Sequence, residues 1–121
     1  MTNKTIEPQL YDVWQIPFEY EDQPGIFKKR PVIIGGVDTE SVEIFLLSIK
    51  VTSHPPRSNY VGEVPILDWK DAGLSKPSTA RCSHIVRLPK SFFQGKLRYG
   101  HLSDRDAQAI EKILTELGYL R

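Results

Sequence analysis

The stretch Arg30–Arg57, RPVIIGGVDTESVEIFLLSIKVTSHPPR, decides the fold class. Arg30 to Val37 is a β-branched apolar run opened by Pro31, a position where a strand tolerates proline. Gly36 and Asp38 suit a hairpin turn. Ser41 to Thr52 then reads as a long strand, and its near-continuous apolar centre, Ile44 to Leu47, implies burial on both faces. His54-Pro55-Pro56 stops it.

Working outward, the same rhythm of short strands and turns continues. Tyr11 to Phe18 is a strand whose larger apolar groups, Trp14, Ile16 and Phe18, share one face. Glu19 to Lys29, with Pro24-Gly25, reads as a charged loop. Arg57 to Gly62 is a loop, and Glu63 to Ile66 is a short strand with edge character from Pro65. Asp68 to Leu74 has room for one helical turn. Thr79 to Leu88 is a strand, Pro89 to Gln94 turns, and Lys96 to Tyr99 makes a last short strand. Only one strong helix is expected. Ser103 is its N-cap, Asp104 and Asp106 suit its positive end, and Gly118 is its stop. Ile110, Ile113, Leu114 and Leu117 recur at helical spacing as the buried stripe. The sum is a mainly β chain with a C-terminal helix, a small barrel or sandwich. It divides into an N-terminal arm, residues 1–10, and one domain, residues 11–121.

The formal charge of +1 points to no partner, but its distribution is uneven. The chain is acid-rich up to Ser48. Between Asp71 and Asp104 it carries no acid and holds Lys76, Arg81, Arg87, Lys90, Lys96 and Arg98. That segment is either a solvated basic surface or the positive face of an anion or nucleic-acid site. Cys82 is the only cysteine, which leaves no disulfide or cysteine-based zinc cluster and fits a reducing compartment. No secretory signal and no membrane span is expected, so the chain reads as cytoplasmic.

His54, His84 and His101 are scattered singly, without metal-ligand spacing, and no phosphate loop or nucleophile elbow is present. No metal or cofactor is expected. Two places remain. At Lys28-Lys29-Arg30-Pro31 a basic cluster enters a strand, either as a solvated loop end or as a phosphate site built on the arginine fork. At Val51-Thr52-Ser53-His54-Pro55-Pro56-Arg57 a strand ends in hydroxyls, an imidazole and a guanidinium. This is either a polar turn or a site held by a rigid strand end.

Those two places carry a resemblance. Tyr11-Asp12-Val13-Trp14, then Lys29-Arg30-Pro31-Val32-Ile33-Ile34, then Thr52-Ser53 resemble the PemK/MazF toxin family. A PemK-like branch is marked by Thr52-Ser53-His54-Pro55-Pro56-Arg57, Asp68-Trp69, Ala72-Gly73-Leu74, Lys76-Pro77-Ser78, Leu88-Pro89-Lys90 and Gly100-His101-Leu102-Ser103. The resemblance implies an SH3-like β-barrel of the PemK/CcdB type and a homodimer. It also implies a toxin restrained by a cognate antitoxin protein, and metal-independent cleavage of single-stranded messenger RNA by the ribose 2′-hydroxyl. Arg30 matches the family's catalytic arginine and Thr52 its catalytic threonine. The sequence departs from the pattern twice. Gly25, Ile26 and Phe27 stand where many members carry a glutamate before the arginine, the nearest acids here being Glu21 and Asp22. Ser83 stands where an aspartate is common.

Arg30 suits oxyanion stabilisation but is a poor base, and Thr52 cannot readily serve as one. Two residues on stands His54, and histidine is the residue type suited to exchange a proton near neutral pH. Either it transfers the proton or it merely caps the strand end. Lys28, Lys29, Ser53, Arg57, Arg81 and Arg87 are the expected RNA contacts, with Trp69 or Tyr60 for base stacking. Two other readings stand beside the nuclease: a CcdB-like toxin that poisons gyrase by protein contact, and a non-catalytic SH3-like binding module. The tail Gly118-Tyr119-Leu120-Arg121 does not look like the apolar ending that gyrase poisoning requires.

Overall fold

The computed structural model describes residues 7–20 and 22–119. The arm up to residue 6, Glu21, and the last two residues of the tail lie outside the described residues. Six strands run in chain order: β1 Asp12–Tyr20, β2 Gln23–Asp38, β3 Phe45–Thr52, β4 Glu63–Ile66, β5 Ser78–Pro89 and β6 Leu97–His101. They form one sheet in the spatial order β4-β5-β3-β2-β1-β6, with all neighbours antiparallel. Helix α1, Asp104–Glu116, follows β6.

The sheet curls because each face has its own core. Val13, Ile33, Ile49, Val51, Ala80 and Cys82 pack on one face against Ile110 and Leu114 of α1. Trp14, Ile16, Val32, Ile34 and Leu46 line the other, capped by Phe93 from the 3-10 helix Lys90–Phe93. The Trp14 and Phe93 rings meet edge to face, 5.6 Å between centroids, a favoured aromatic geometry. β3 thus contributes to both cores, as its apolar centre requires. The turn after β4 reaches the free edge of β6 and draws the curl together. A Cβ added to Gly73 would lie 2.1 Å from the Tyr99 carbonyl oxygen, and one on Gly100 would lie 2.6 Å from that of Ala72. Only glycine permits so close an approach of two backbones.

Several boundaries differ from the sequence expectation, and Gly36, expected in a hairpin turn, lies within β2. Residues 19–20 and 23–29, expected as loop, are strand. β1 and β2 extend as a hairpin, with Phe18 paired to Lys28 and Glu19 to Phe27. Strand pairing satisfies their backbone groups although residues 23–29 are exposed and bury no core. The strand expected from Ser41 begins only at Phe45, because 41–44 belong to the β2–β3 connection. The turn at residues 90–93 is a 3-10 helix.

The C-terminal helix is as expected. The Ser103 hydroxyl accepts from the Asp106 N–H, and Gly118 adopts φ +87° just beyond the C-cap. Ile110 and Leu114 are fully buried, while Ile113 and Leu117 are partly so. Asp106 is also buried, which the periodicity did not foresee. It accepts from the N–H groups of Leu67 and Asp68, at 2.9 and 2.8 Å. Asp68 in turn takes Ser103 Oγ and a bidentate pair of bonds from Arg105 at 2.7 Å. These bonds hold the carboxyl pKa of Asp68 down at about 2, the Arg105 bonds contributing most. The Asp68-Trp69 motif therefore pins α1 to the turn that closes the curl.

Candidate active site

The strand register assembles the site. Trp14, Val32, Lys50, Arg81 and Glu63 stand side by side across β1, β2, β3, β5 and β4. Side chains paired across antiparallel strands share a face. This row lies on the face of the Trp14–Phe93 core. It is apolar over β1 and β2 and charged over β3, β5 and β4. In the next row Ile16 pairs with Arg30, and Thr52 with Thr79. Continuing the β2–β3 register by two residues sets Arg30 opposite Thr52. The inner face thus changes from an apolar floor to a polar rim within one residue pair.

At that rim lies an open cleft of about 410 Å³, lined by Phe18, Arg30, Lys50, Thr52, His54, Arg57 and Arg81 among others. A second cleft of about 210 Å³ adjoins it, where Lys28, Lys29, Ser53, Lys76 and Tyr99 are in the wall. Arg30, Pro31, Val51 and Thr52 belong to both. The structure therefore brings together Arg30, Thr52, His54, Arg57 and Arg81 on one side and Lys28, Lys29 and Ser53 on the other. Arg87 stands apart. It lies farther along β5 opposite Leu47, bonded to Asp38 at 2.8 Å and stacked over the Phe45 ring at 3.5 Å.

Thr52 Oγ1 accepts from the His54 N–H at 3.3 Å, which leaves its own hydrogen to donate to an anion. The next residues are held by Thr79 Oγ1, which donates to the His54 carbonyl at 2.6 Å. Among the described residues the His54 imidazole has no hydrogen-bond partner, so the strand end is capped by Thr52 and Thr79 rather than by that ring. Arg30 and Lys50 are likewise paired with no carboxylate among the described residues. Lys50 Nζ sits 5.0 Å from the Phe18 ring centroid.

Glu63 is the acid of the site. Its side chain is 2% exposed. It accepts from the Arg57 N–H, Nε and Nη2 at 2.9, 3.3 and 2.9 Å, and from Arg81 Nε at 3.2 Å. The Arg57 side-chain bonds are the main cause that holds its carboxyl pKa down at about 2. Tyr60 packs beneath both guanidiniums, 3.9 Å from Arg57 and 5.8 Å from Arg81. Sequence reasoning missed Glu63 and Lys50. Their signal was present: each is a charged residue at an inward position of a strand. Trp69 is partly buried against the helix-side core and borders a separate apolar groove with Pro55, Pro56 and Pro65.

A carboxylate-anchored pair of arginines beside a lysine, an oriented hydroxyl and an arginine with no carboxylate partner among the described residues has the chemistry to hold an anion. A family model for PemK-like, MazF-like toxins of type II toxin–antitoxin systems matches residues 9–117. The chain belongs to that family. Among solved structures, a MazE–MazF crystal structure from Deinococcus radiodurans has the same fold. It aligns with a TM-score of 0.65 at 15% identity, covering 93% of this chain and 98% of that one. No curated protein matches. The PemK-like toxin signature runs from Gln9 to Leu117 and so spans both the cleft and α1. No group of three His, Cys, Asp or Glu side chains among the described residues could hold a metal ion. No described helix is long and apolar enough to cross a membrane. Cys82 is buried, and burial pushes its thiol pKa up to about 12, so it is no nucleophile.

Proposed function

We propose that this toxin is a metal-independent endoribonuclease that cuts single-stranded messenger RNA. The ribose 2′-hydroxyl attacks the neighbouring phosphorus, the 5′-oxygen leaves, and a 2′,3′-cyclic phosphate remains. The observation that carries this reading is the Arg30–Thr52 pair at the junction of two basic clefts, where a strand can run past with its scissile phosphate on the pair. Arg30 stabilises the phosphorane oxygens bidentately, and Thr52 donates its free hydrogen to one of them. His54, in the wall of the same cleft, moves the proton, a contribution of about 10²–10⁴-fold. Lys28, Lys29, Ser53, Arg57 and Arg81 contact the flanking backbone. Tyr60, already stacked under two guanidiniums, is the stacking platform rather than Trp69.

The working form is a cytoplasmic homodimer. Its antitoxin lays an acidic segment over Arg30 and Thr52, since a groove for a polyanion also receives an acidic disordered peptide. Purified protein incubated with single-stranded RNA and EDTA should yield cyclic-phosphate ends. Arg30→Ala and Thr52→Ala should remain folded and lose roughly 10²-fold or more in rate. Unchanged cleavage by both variants would displace the site. Binding without cutting by the wild type would favour the non-catalytic module.

A further inference from the structure

β5 carries an irregularity that places one more histidine. Ile49 pairs with Ile85 and the next residue, Lys50, pairs with Arg81. Cys82, Ser83 and His84 therefore face no residue of β3. Such bulges re-aim side chains and are frequent beside active sites. This one is fixed at its base. The Cys82 side chain is buried in the core, and its N–H donates to the Gly62 carbonyl at 2.9 Å. Gly62 has φ +80°, and a Cβ there would lie 3.2 Å from the Ser83 nitrogen. The bulge tip turns His84 back toward the cleft wall. Its Nε2 lies 3.3 Å from Arg81 Nη2, and its Nδ1 lies 3.1 Å from Ser83 Oγ.

The chemistry of these two contacts fixes the state of the ring. Arg81 can only donate. Nε2 must therefore accept, the proton resides on Nδ1, and Ser83 Oγ receives it. This holds only for the neutral imidazole. We propose that His84 is a positioning residue: neutral, it holds the Arg81 guanidinium at the cleft together with Glu63, and protonated, it releases it. The proposal rests on the nuclease reading above and adds to it a pH-dependent control of Arg81. The charged groups around the ring are Arg81 on β5, Lys50 on β3, Glu63 on β4 and Arg57 in the loop before β4. Partial burial, then Arg81 and Lys50, hold the imidazole pKa below its usual value, with Arg57 adding to the effect and Glu63 opposing it. The neutral form is thus the resting one at neutral pH.

The test uses single-turnover cleavage of saturating RNA by wild type, His84→Gln and His84→Ala. Glutamine places an acceptor oxygen close to the Nε2 position and does not titrate. At pH 8 the glutamine variant should cut within about threefold of wild type, and the alanine variant should be slower by about 10-fold or more. As pH falls below the ordinary histidine value of 6.5, the wild-type to His84→Gln rate ratio should drop below one. A ratio independent of pH, or equal rates for the two variants at pH 8, overturns the proposal. Imidazole ¹⁵N spectra of the full chain without RNA supply the second readout, with the Nδ1–H tautomer expected and the Nε2–H tautomer refuting. If wild type cuts no RNA, the nuclease reading fails, and these spectra still decide whether Arg81 is held by neutral His84.

Discussion

Replacing Glu63 by glutamine removes the one carboxylate that two arginines share while keeping the side chain's volume. Three bonds from Arg57 and one from Arg81 converge on it. Removing one partner of a fully buried ion pair costs about 3–5 kcal/mol, whereas an exposed pair contributes about 0–1 kcal/mol. Glu63 itself is buried, but the Arg57 and Arg81 side chains are 36% and 24% exposed, so water shares their charge. The expected loss lies between those limits, about 2 kcal/mol at neutral pH. At this chain length that is a fall in Tm of about 8 °C. The pH dependence has a definite sign. The folded-state pKa is about 2 against an ordinary 4.5. The stabilisation is therefore complete above about pH 4.5 and is lost as pH falls from there toward 2. Thermal melts of wild type and Glu63→Gln at one protein concentration should show a gap that is widest near neutrality and closes across that window. A gap that stays constant down to pH 2, or no gap at pH 7, would refute the view that this carboxylate organises the cleft wall.

Other outcomes follow from neighbouring features. Gly73→Ala combines left-handed strain of about 1–2 kcal/mol with a backbone clash. It should lower stability well beyond Gly95→Ala, where φ is +75° and the space is open; equal melting temperatures would mean the turn does not close on β6. Asp106→Asn keeps an acceptor for only one of the N–H groups of Leu67 and Asp68 and turns amide hydrogens toward the other. It should cost about 1–3 kcal/mol in urea denaturation, and a neutral result would remove the clamp between α1 and that turn. RNA affinity should fall with salt at a log–log slope near −0.7 per neutralised phosphate. Lys50→Ala should flatten that slope by about one such unit and Arg87→Ala should leave it unchanged; equal effects would mean the strand follows β5 to its far end.

The architecture was legible wherever local chemistry dictates it. Pro31, the apolar centre of β3 and the turn residues announced a β-rich chain, and Ser103, Ile110, Leu114 and Gly118 announced its helix with both caps. The order of Arg30 and Thr52 in their motifs marked them as candidates, and the strand register places both at the cleft. The hairpin at 19–29 was not legible, because Pro24-Gly25 and the flanking charges read as a loop, and its strands are held by backbone pairing, to which composition is blind.

The site's organisation was less legible for a different reason. In sequence, Glu63 is one acid in a short edge strand, Lys50 one cation in a buried strand, and His84 a lone histidine beside a serine. Their meaning comes from register. The β3–β5 bulge and the β4–β5 pairing bring Lys50, Glu63, Arg81 and His84 to one wall. The same pairing separates Arg87 from it, although Arg87 is no different in kind along the chain. The sequence by itself determined most of the strands, the helix and the family, and it singled out Arg30 and Thr52 as candidates, because propensity, periodicity and motif order act over neighbouring residues. The tertiary structure alone decided which charges meet, because contacts across strands depend on pairing register and on where a bulge shifts it.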